Sequence, residues 1–337
     1  MAEAWLSAAF NQGWIYRNRL GPAETGLSLL AFYGTRYRHS DRGVWAERLA
    51  AGELHRNGTR LRADVALQAG EQLQWHRPPW QEAAVPGSWQ RVFDDGDLLV
   101  IDKPSGLPVL PAGGFLEHTL LRLLERRHGG EAGGVPRPVH RLGRFTSGLL
   151  VCARRSATRA WLSAQLREST AGADQRRGAG LTAGEQPCCR KLYRALTAPL
   201  PVPLEPGASL TLTTPIGRRP HPLLGQVWCA AAEGQPGALA ARSTLTLLER
   251  RPGADLVEVA IASGRPHQIR LHAAALGAPL LGDPLYLPGG LARAEVLPGE
   301  GGYRLHAHRL VLRRPEGETL ELEAPLPEGL RCSGPSR

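Results

Sequence analysis

At 337 residues the chain is long enough for one large domain or for two smaller ones with full cores. Its 42% apolar content is that of a globular protein, and its longest apolar runs, such as LSLLAF and LLVI, are far too short to cross a bilayer. A formal charge of +10, carried by arginines apart from Lys103 and Lys191, favours a polyanionic partner such as nucleic acid.

The start of the chain has an early Glu3 and no basic segment followed by an apolar block, so no secretory leader is expected. The five cysteines, an odd count, read as reduced thiols of a cytoplasmic protein. Adjacent Cys188 and Cys189 lack a second pair at zinc-ligand spacing.

From about Thr25 to Trp75 the chain reads as a small module. RGVWAERLAAGEL has helical spacing, with Gly52 as its stop. Asn57-Gly58 predicts a hairpin turn, and DVALQAGEQLQW a second short strand pair around Gly70. This module is either an RNA-contacting addition or a cap that packs on the main domain. HRPPWQEAAVPGSW, from His76 to Trp89, is rich in proline, lacks periodicity and reads as a linker.

Beyond it, DLLVIDKP predicts a strand ended by Pro104, and EHTLLRLLERRHGG a helix with an apolar face. RSATRAWLSAQLRE predicts a second helix, with Ser156 as its cap. Ser169 to Pro187 is composed of Gly, Ala and polar residues and reads as a surface insertion. KLYRALTA, SLTLTTPI, STLTLLER and LVEVAIA predict strands, and RPHQIRLHAAALG a helix that opens near Pro266 and closes at Gly277. Many strands and few helices, without regular alternation, predict an α+β fold with a mixed, largely antiparallel sheet and flanking helices.

Four stretches now align with one family: LLVIDKPSGLPVLP from Leu98, HRLGRFTSGLLVCAR from His140, RKLYRALTAP from Arg190 and SGRPHQIRLHAAALGAPLLGDPLY from Ser263. Their order and spacing resemble the RluA-type RNA pseudouridine synthases, and YRLHAHRLVL from Tyr303 resembles that family's last strand. The N-terminal module looks, more loosely, like an S4 RNA-binding domain. The resemblance implies a module and linker over 1–85 and a catalytic domain over 86–330, with 169–187 as the insertion. It also implies an RNA partner, ribosomal or transfer, a monomer, no membrane and no cofactor. The family breaks the C1′–N1 bond of an extruded uridine, turns the uracil and joins C5 to C1′.

The family's loop reads H-R-L-D-R-x-T-S-G, and its aspartate carries the chemistry. Here that position is Gly143. Tyr193 matches the tyrosine whose ring packs on the target base, although the alternation of KLYRAL alone equally allows a core tyrosine. Arg270 matches the arginine that pairs with the aspartate. Without that partner it is expected to turn to an RNA phosphate, another acid or water. Arg141 matches a side chain that fills the gap left by the flipped nucleotide. Arg144 and Arg265 are assigned to phosphates, and His140 and Thr146 join the RNA-contacting set. Asp102 and Asp283 match positions that read as structural turns. An aspartate introduced at Gly143 is expected to fit and to meet Arg270. No metal is expected, because His267 and His272, five apart on a helix, do not share a face and no acidic third ligand is evident. A glycosidase would need two carboxylates across a cleft, and no such pair has supporting context. Two readings remain: a uridine isomerase, or an RNA-binding protein on the same scaffold that has lost its activity with the aspartate.

Overall fold

The computed structural model describes residues 5–175, 189–261 and 264–333. The chain divides into two compact units, one formed by Ala8–Ala83 with Pro220–Gln226 and the other by the remainder.

In the small unit, Ser28 caps helix Leu29–Arg36 by accepting from the Ala31 amide at 3.2 Å, and Asp41 caps helix Arg42–Ala51 through Val44 at 2.9 Å. Leu54–Arg56 and Thr59–Arg60 form a hairpin whose turn residues, Asn57 and Gly58, have φ of 51° and 84°. Both angles are those of a type I′ turn. The pair expected around Gly70 does not form. Leu73 and Trp75 alternate into the core, so Gln72–Arg77 becomes an inner strand between Trp14–Arg19 and Leu54–Arg56, and its partners are distant in sequence. Arg48 lies over the rings of Trp45 and Trp75, at 4.3 and 4.7 Å. The stretch read as a linker continues that strand to Arg77, then forms two-residue pairings: Gln81–Glu82 with Ala9–Phe10, and Val85–Pro86 with Trp5–Leu6.

The large unit is built on one sheet of ten strands. Its main path runs Ser209–Leu212, Ser243–Arg251, Ala254–Ile261, Cys189–Thr197, Leu305–Arg313, Thr146–Ala153, Leu98–Lys103 and Gln90–Asp94. Arg137–Pro138 and Thr319–Glu323 are added off that path. All pairings are antiparallel except one: Thr146–Ala153 runs parallel to Leu305–Arg313, through Thr146 opposite Leu305, Ser147 opposite His306 and Gly148 opposite Ala307. Helix Leu120–His128 and Leu162 of helix Ser156–Gln175 cover the end around Leu98–Lys103. Helix Gln268–Ala275 covers the other end, on Ala195, Leu245, Val257 and Val259. The fold is α+β, as predicted.

Helix Ser156–Gln175 runs further than its sequence signal, through the first residues of the stretch read as an insertion. Residues 176–187 of that stretch lie outside the described residues. No described helix is long and apolar enough to cross a membrane.

Candidate active site

The loop from His140 to Gly148 leads into the strand that makes the sheet's parallel contact. Its anchors alternate with free positions. Leu142 is buried in the core, whereas Arg141 and Gly143 are exposed. The Thr146 amide donates to the Gly143 carbonyl at 3.0 Å and closes a tight turn. Gly148 has φ of 100°, and a Cβ there would come within 2.3 Å of the Ala307 carbonyl, so only glycine allows the parallel strands to meet at this point.

A second segment holds the loop from behind. Lys103, fully buried, donates from Nζ to the carbonyls of Pro104 at 2.8 Å, Leu107 at 2.9 Å and Arg144 at 3.0 Å. Burial pushes its ammonium down to about 7. Gly106 donates to the Arg144 carbonyl at 2.9 Å, and Arg144 Nε returns a bond to the Gly106 carbonyl at 3.0 Å. The Arg144 guanidinium lies over Phe115 and Phe145, at 4.5 and 4.9 Å. Its Nε and its guanidinium face are thus engaged within the protein. His140 accepts from the Val151 amide through Nε2 at 3.1 Å. Burial, and secondarily the charge of Lys191, push its pKa down to about 3, so a neutral imidazole pins the loop to the strand. Arg141 differs: among the described residues it has no hydrogen bond or ion pair.

Helix Gln268–Ala275 brings Arg270 against the ring of Tyr303. Arg270 is only 3% exposed and binds Asp283 in a two-point pair, Nε to Oδ2 at 2.6 Å and Nη2 to Oδ1 at 2.7 Å. The Asp283 side chain is 0% exposed and also accepts from the Leu285 and Tyr286 amides. Of the partners expected for Arg270 in place of the family's aspartate, an RNA phosphate, another acid or water, the structure shows another acid. Asp283, read as a structural turn residue, is its partner. Glycines 277 and 282, with φ of 96° and 80°, turn the chain after the helix so that residue 283 returns to it. Tyr286 and Tyr303 flank the guanidinium, with ring centres 4.8 and 4.3 Å from its carbon. His267 meets the Tyr286 hydroxyl at 2.6 Å, and that hydroxyl donates to the Trp228 carbonyl at 3.0 Å. His267 is therefore the donor to Tyr286, from Nδ1, and burial holds its pKa down at about 3. His272 lies between the Ser243 hydroxyl at 2.9 Å and the Thr214 carbonyl at 3.0 Å. Arg265 donates from Nε to the Ala240 carbonyl at 2.9 Å, beside the helix start.

At Gly143 the space that a side chain would take is filled. A Cβ built there would lie 2.2 Å from the hydroxyl of Tyr303 and 3.3 Å from Thr146 Oγ1. Tyr303 is 3% exposed, its hydroxyl meets Thr146 Oγ1 at 3.3 Å, Arg270 lies over its ring and Phe145 packs against it edge to face. The tyrosine is wedged, so the expected free fit of an aspartate beside Arg270 is corrected. Tyr303 thus brings Gly143, Thr146 and Arg270 together. Tyr193 pairs with Ala307, which on its other side faces Gly148, and packs half-buried against both core clusters. Burial pushes its hydroxyl pKa up. Tyr303 and Lys103 carried no site signal in the sequence beyond their place in the quoted stretches.

Residues 97–275 match the family described as RNA pseudouridylate synthase. The chain is 40% identical to an uncharacterised RNA pseudouridine synthase of Synechocystis over 305 residues, covering 90% of this chain and 95% of that one. RNA pseudouridine synthase 5 of Oryza sativa is 34% identical, with 96% of this chain and 89% of that one covered. Ribosomal large subunit pseudouridine synthase D of Neisseria meningitidis is 33% identical over 77% of this chain and 65% of that one. Among solved structures, human RNA pseudouridylate synthase domain containing 4 shares the fold, with a TM-score of 0.51 and 24% identity over 72% of this chain and 90% of that one.

Proposed function

The chain belongs to the RNA pseudouridylate synthase family and is an RNA pseudouridine synthase, and from that premise we propose that it isomerises a uridine of structured ribosomal or transfer RNA at the loop 140–148. The observation that carries this reading is the frame around position 143: the loop pinned by Lys103 and His140, and joined through Tyr303 to Arg270.

The reaction needs no cofactor, because the uracil ring accepts the electrons of the broken C1′–N1 bond. The protein extrudes the base, a cost of a few kcal/mol, and offsets it with contacts to the flipped nucleotide. Arg141, exposed and unengaged among the described residues, stacks in the gap or meets a phosphate. Tyr193 lies under the base. Arg270 acts as the buried strut of the pocket wall. Thr146 fixes the turn at Gly143. Arg144 and Arg265 hold their own loops through backbone carbonyls and add positive potential for the RNA. The small unit built on Ala8–Ala83 serves as an S4-like RNA-binding module, and the enzyme acts as a cytoplasmic monomer.

Gly143 gives weight to a second reading, an RNA-binding scaffold that does not turn over. One experiment separates the two: deletion of the gene and mapping of pseudouridine across cellular RNA. A lost site that returns with the wild-type gene establishes both activity and target. An unchanged pseudouridine map, with RNA still bound by the purified protein, establishes the scaffold.

A further inference from the structure

An aspartate's carboxylate oxygens lie about 2.4 Å from its own Cβ, by ordinary carbon–carbon and carbon–oxygen bond lengths. Tyr303 places its hydroxyl oxygen 2.2 Å from where a residue-143 Cβ would be. That oxygen therefore stands at the range a residue-143 carboxylate oxygen would take, although it arrives from a strand start 160 residues away. Gly143 is exposed and its φ is not in the left-handed region, so its backbone conformation does not demand glycine. What demands glycine is the hydroxyl: any side chain at 143 would overlap it. The tyrosine cannot easily step aside, because Arg270 lies over its ring, Phe145 packs against it edge to face and its hydroxyl meets Thr146.

We propose that Gly143 and Tyr303 form one functional unit, in which the Tyr303 hydroxyl oxygen faces the ribose of the target uridine in place of a carboxylate on residue 143. The inference rests on the isomerase reading above. Either hydroxyl can donate in the Tyr303–Thr146 pair; when the phenol does, it presents a lone pair to the sugar. As the C1′–N1 bond breaks, its electron pair leaves on N1 and C1′ becomes electron-poor. The oxygen stabilises that carbon without forming a bond to it. Uracil turns, C5 attacks C1′, the C5 proton passes to solvent and N1 takes one up, so the product has the formula of the substrate. Arg270 positions the ring from below, and Asp283 balances its charge.

The test uses RNA labelled with 5-tritiated uridine from cells that lack the gene, and measures tritium release, RNA affinity and melting temperature on the full-length protein. Tyr303→Phe keeps the ring and removes the oxygen. It is expected to bind RNA within twofold of wild type and to melt within about 3 °C of it, as expected for loss of a single hydrogen bond, while tritium release falls at least hundredfold. Gly143→Ala is expected to lower both the melting temperature and the activity. Adding Tyr303→Phe to it should restore the melting temperature and leave activity low. The double change Gly143→Asp with Tyr303→Phe is expected to release tritium faster than Tyr303→Phe alone. Tyr303→Phe with wild-type release would overturn the inference and leave the isomerase reading intact. Gly143→Ala with unchanged stability would overturn the steric pairing. No release by wild type on any RNA would overturn the isomerase reading, and with it the role of the hydroxyl at the ribose.

Discussion

The loop 140–148 and the helix Gln268–Ala275 each bring an arginine to the surroundings of Gly143, and they hold it in opposite ways. Arg141 is exposed and unengaged among the described residues, on a loop whose neighbours Leu142 and His140 are fastened. Arg270 is buried, doubly bonded to a buried carboxylate and flanked by two tyrosine rings. A charged group that is fully paired inside the protein has little left to offer a ligand, and its removal strands its partner. One that is left in water costs little to keep and is available to an RNA phosphate or base. The contrast separates the frame of the site from its contact surface.

The largest expected effect comes from breaking the frame. Arg270→Met leaves Asp283 charged and buried without its counter-charge, which should cost about 4 kcal/mol and lower the melting temperature by roughly 10 °C. Joint replacement of Arg270 by Met and Asp283 by Leu should recover part of that loss, because no lone charge remains. A single variant that melts like wild type would show the pair to be dispensable.

Lys103 belongs to the same frame from the loop's side. Lys103→Met removes the donor of the Pro104 and Leu107 carbonyls and one of the two donors of the Arg144 carbonyl, and should cost about 3 kcal/mol, read as a shift of the urea midpoint at constant slope. RNA binding of the folded fraction should weaken as well, since the Arg144 carbonyl loses a tether.

A smaller effect comes from the buried imidazoles. Burial lowers His140 and His267 to about 3, and His272 and His306 to about 4. Their folded pKa values lie below the ordinary 6.5, so the unfolded chain binds more protons as pH falls through that value. Stability from these groups is complete above pH 6.5 and is lost progressively down to about pH 4 for His272 and His306 and about pH 3 for His140 and His267, with up to about 1.4 kcal/mol per pH unit for each histidine. Melting curves between pH 7.5 and 5 should show a steady fall. A flat profile would mean that these histidines become protonated without unfolding.

Arg141→Ala tests the contact surface and should leave the melting temperature nearly unchanged, within about 0.5 kcal/mol. RNA affinity should drop, and the slope of its logarithm against salt should lessen by about one if the contact is to phosphate. An equal loss at all salt concentrations would assign the side chain to stacking.

Much of this contrast was already legible locally. The stop at Gly52, the Asn57-Gly58 turn and the alternation in KLYRAL act within a few residues, so the sequence alone determined those elements. The spacing of the four stretches likewise determined the family and the place of Gly143. Pairings across distance were not legible. Gln72–Arg77 gained two partners far away in the chain, and Asp283 became the carboxylate of Arg270 only because the chain turns back at two left-handed glycines. Gly143, read as a letter, left two readings open, an isomerase or a scaffold without activity. The space beside it is filled by a tyrosine 160 residues later, brought there by the parallel register of Thr146–Ala153 with Leu305–Arg313. Such register is set by the packing of whole strands and helices rather than by local propensity, which is why tertiary structure alone decided what fills that space.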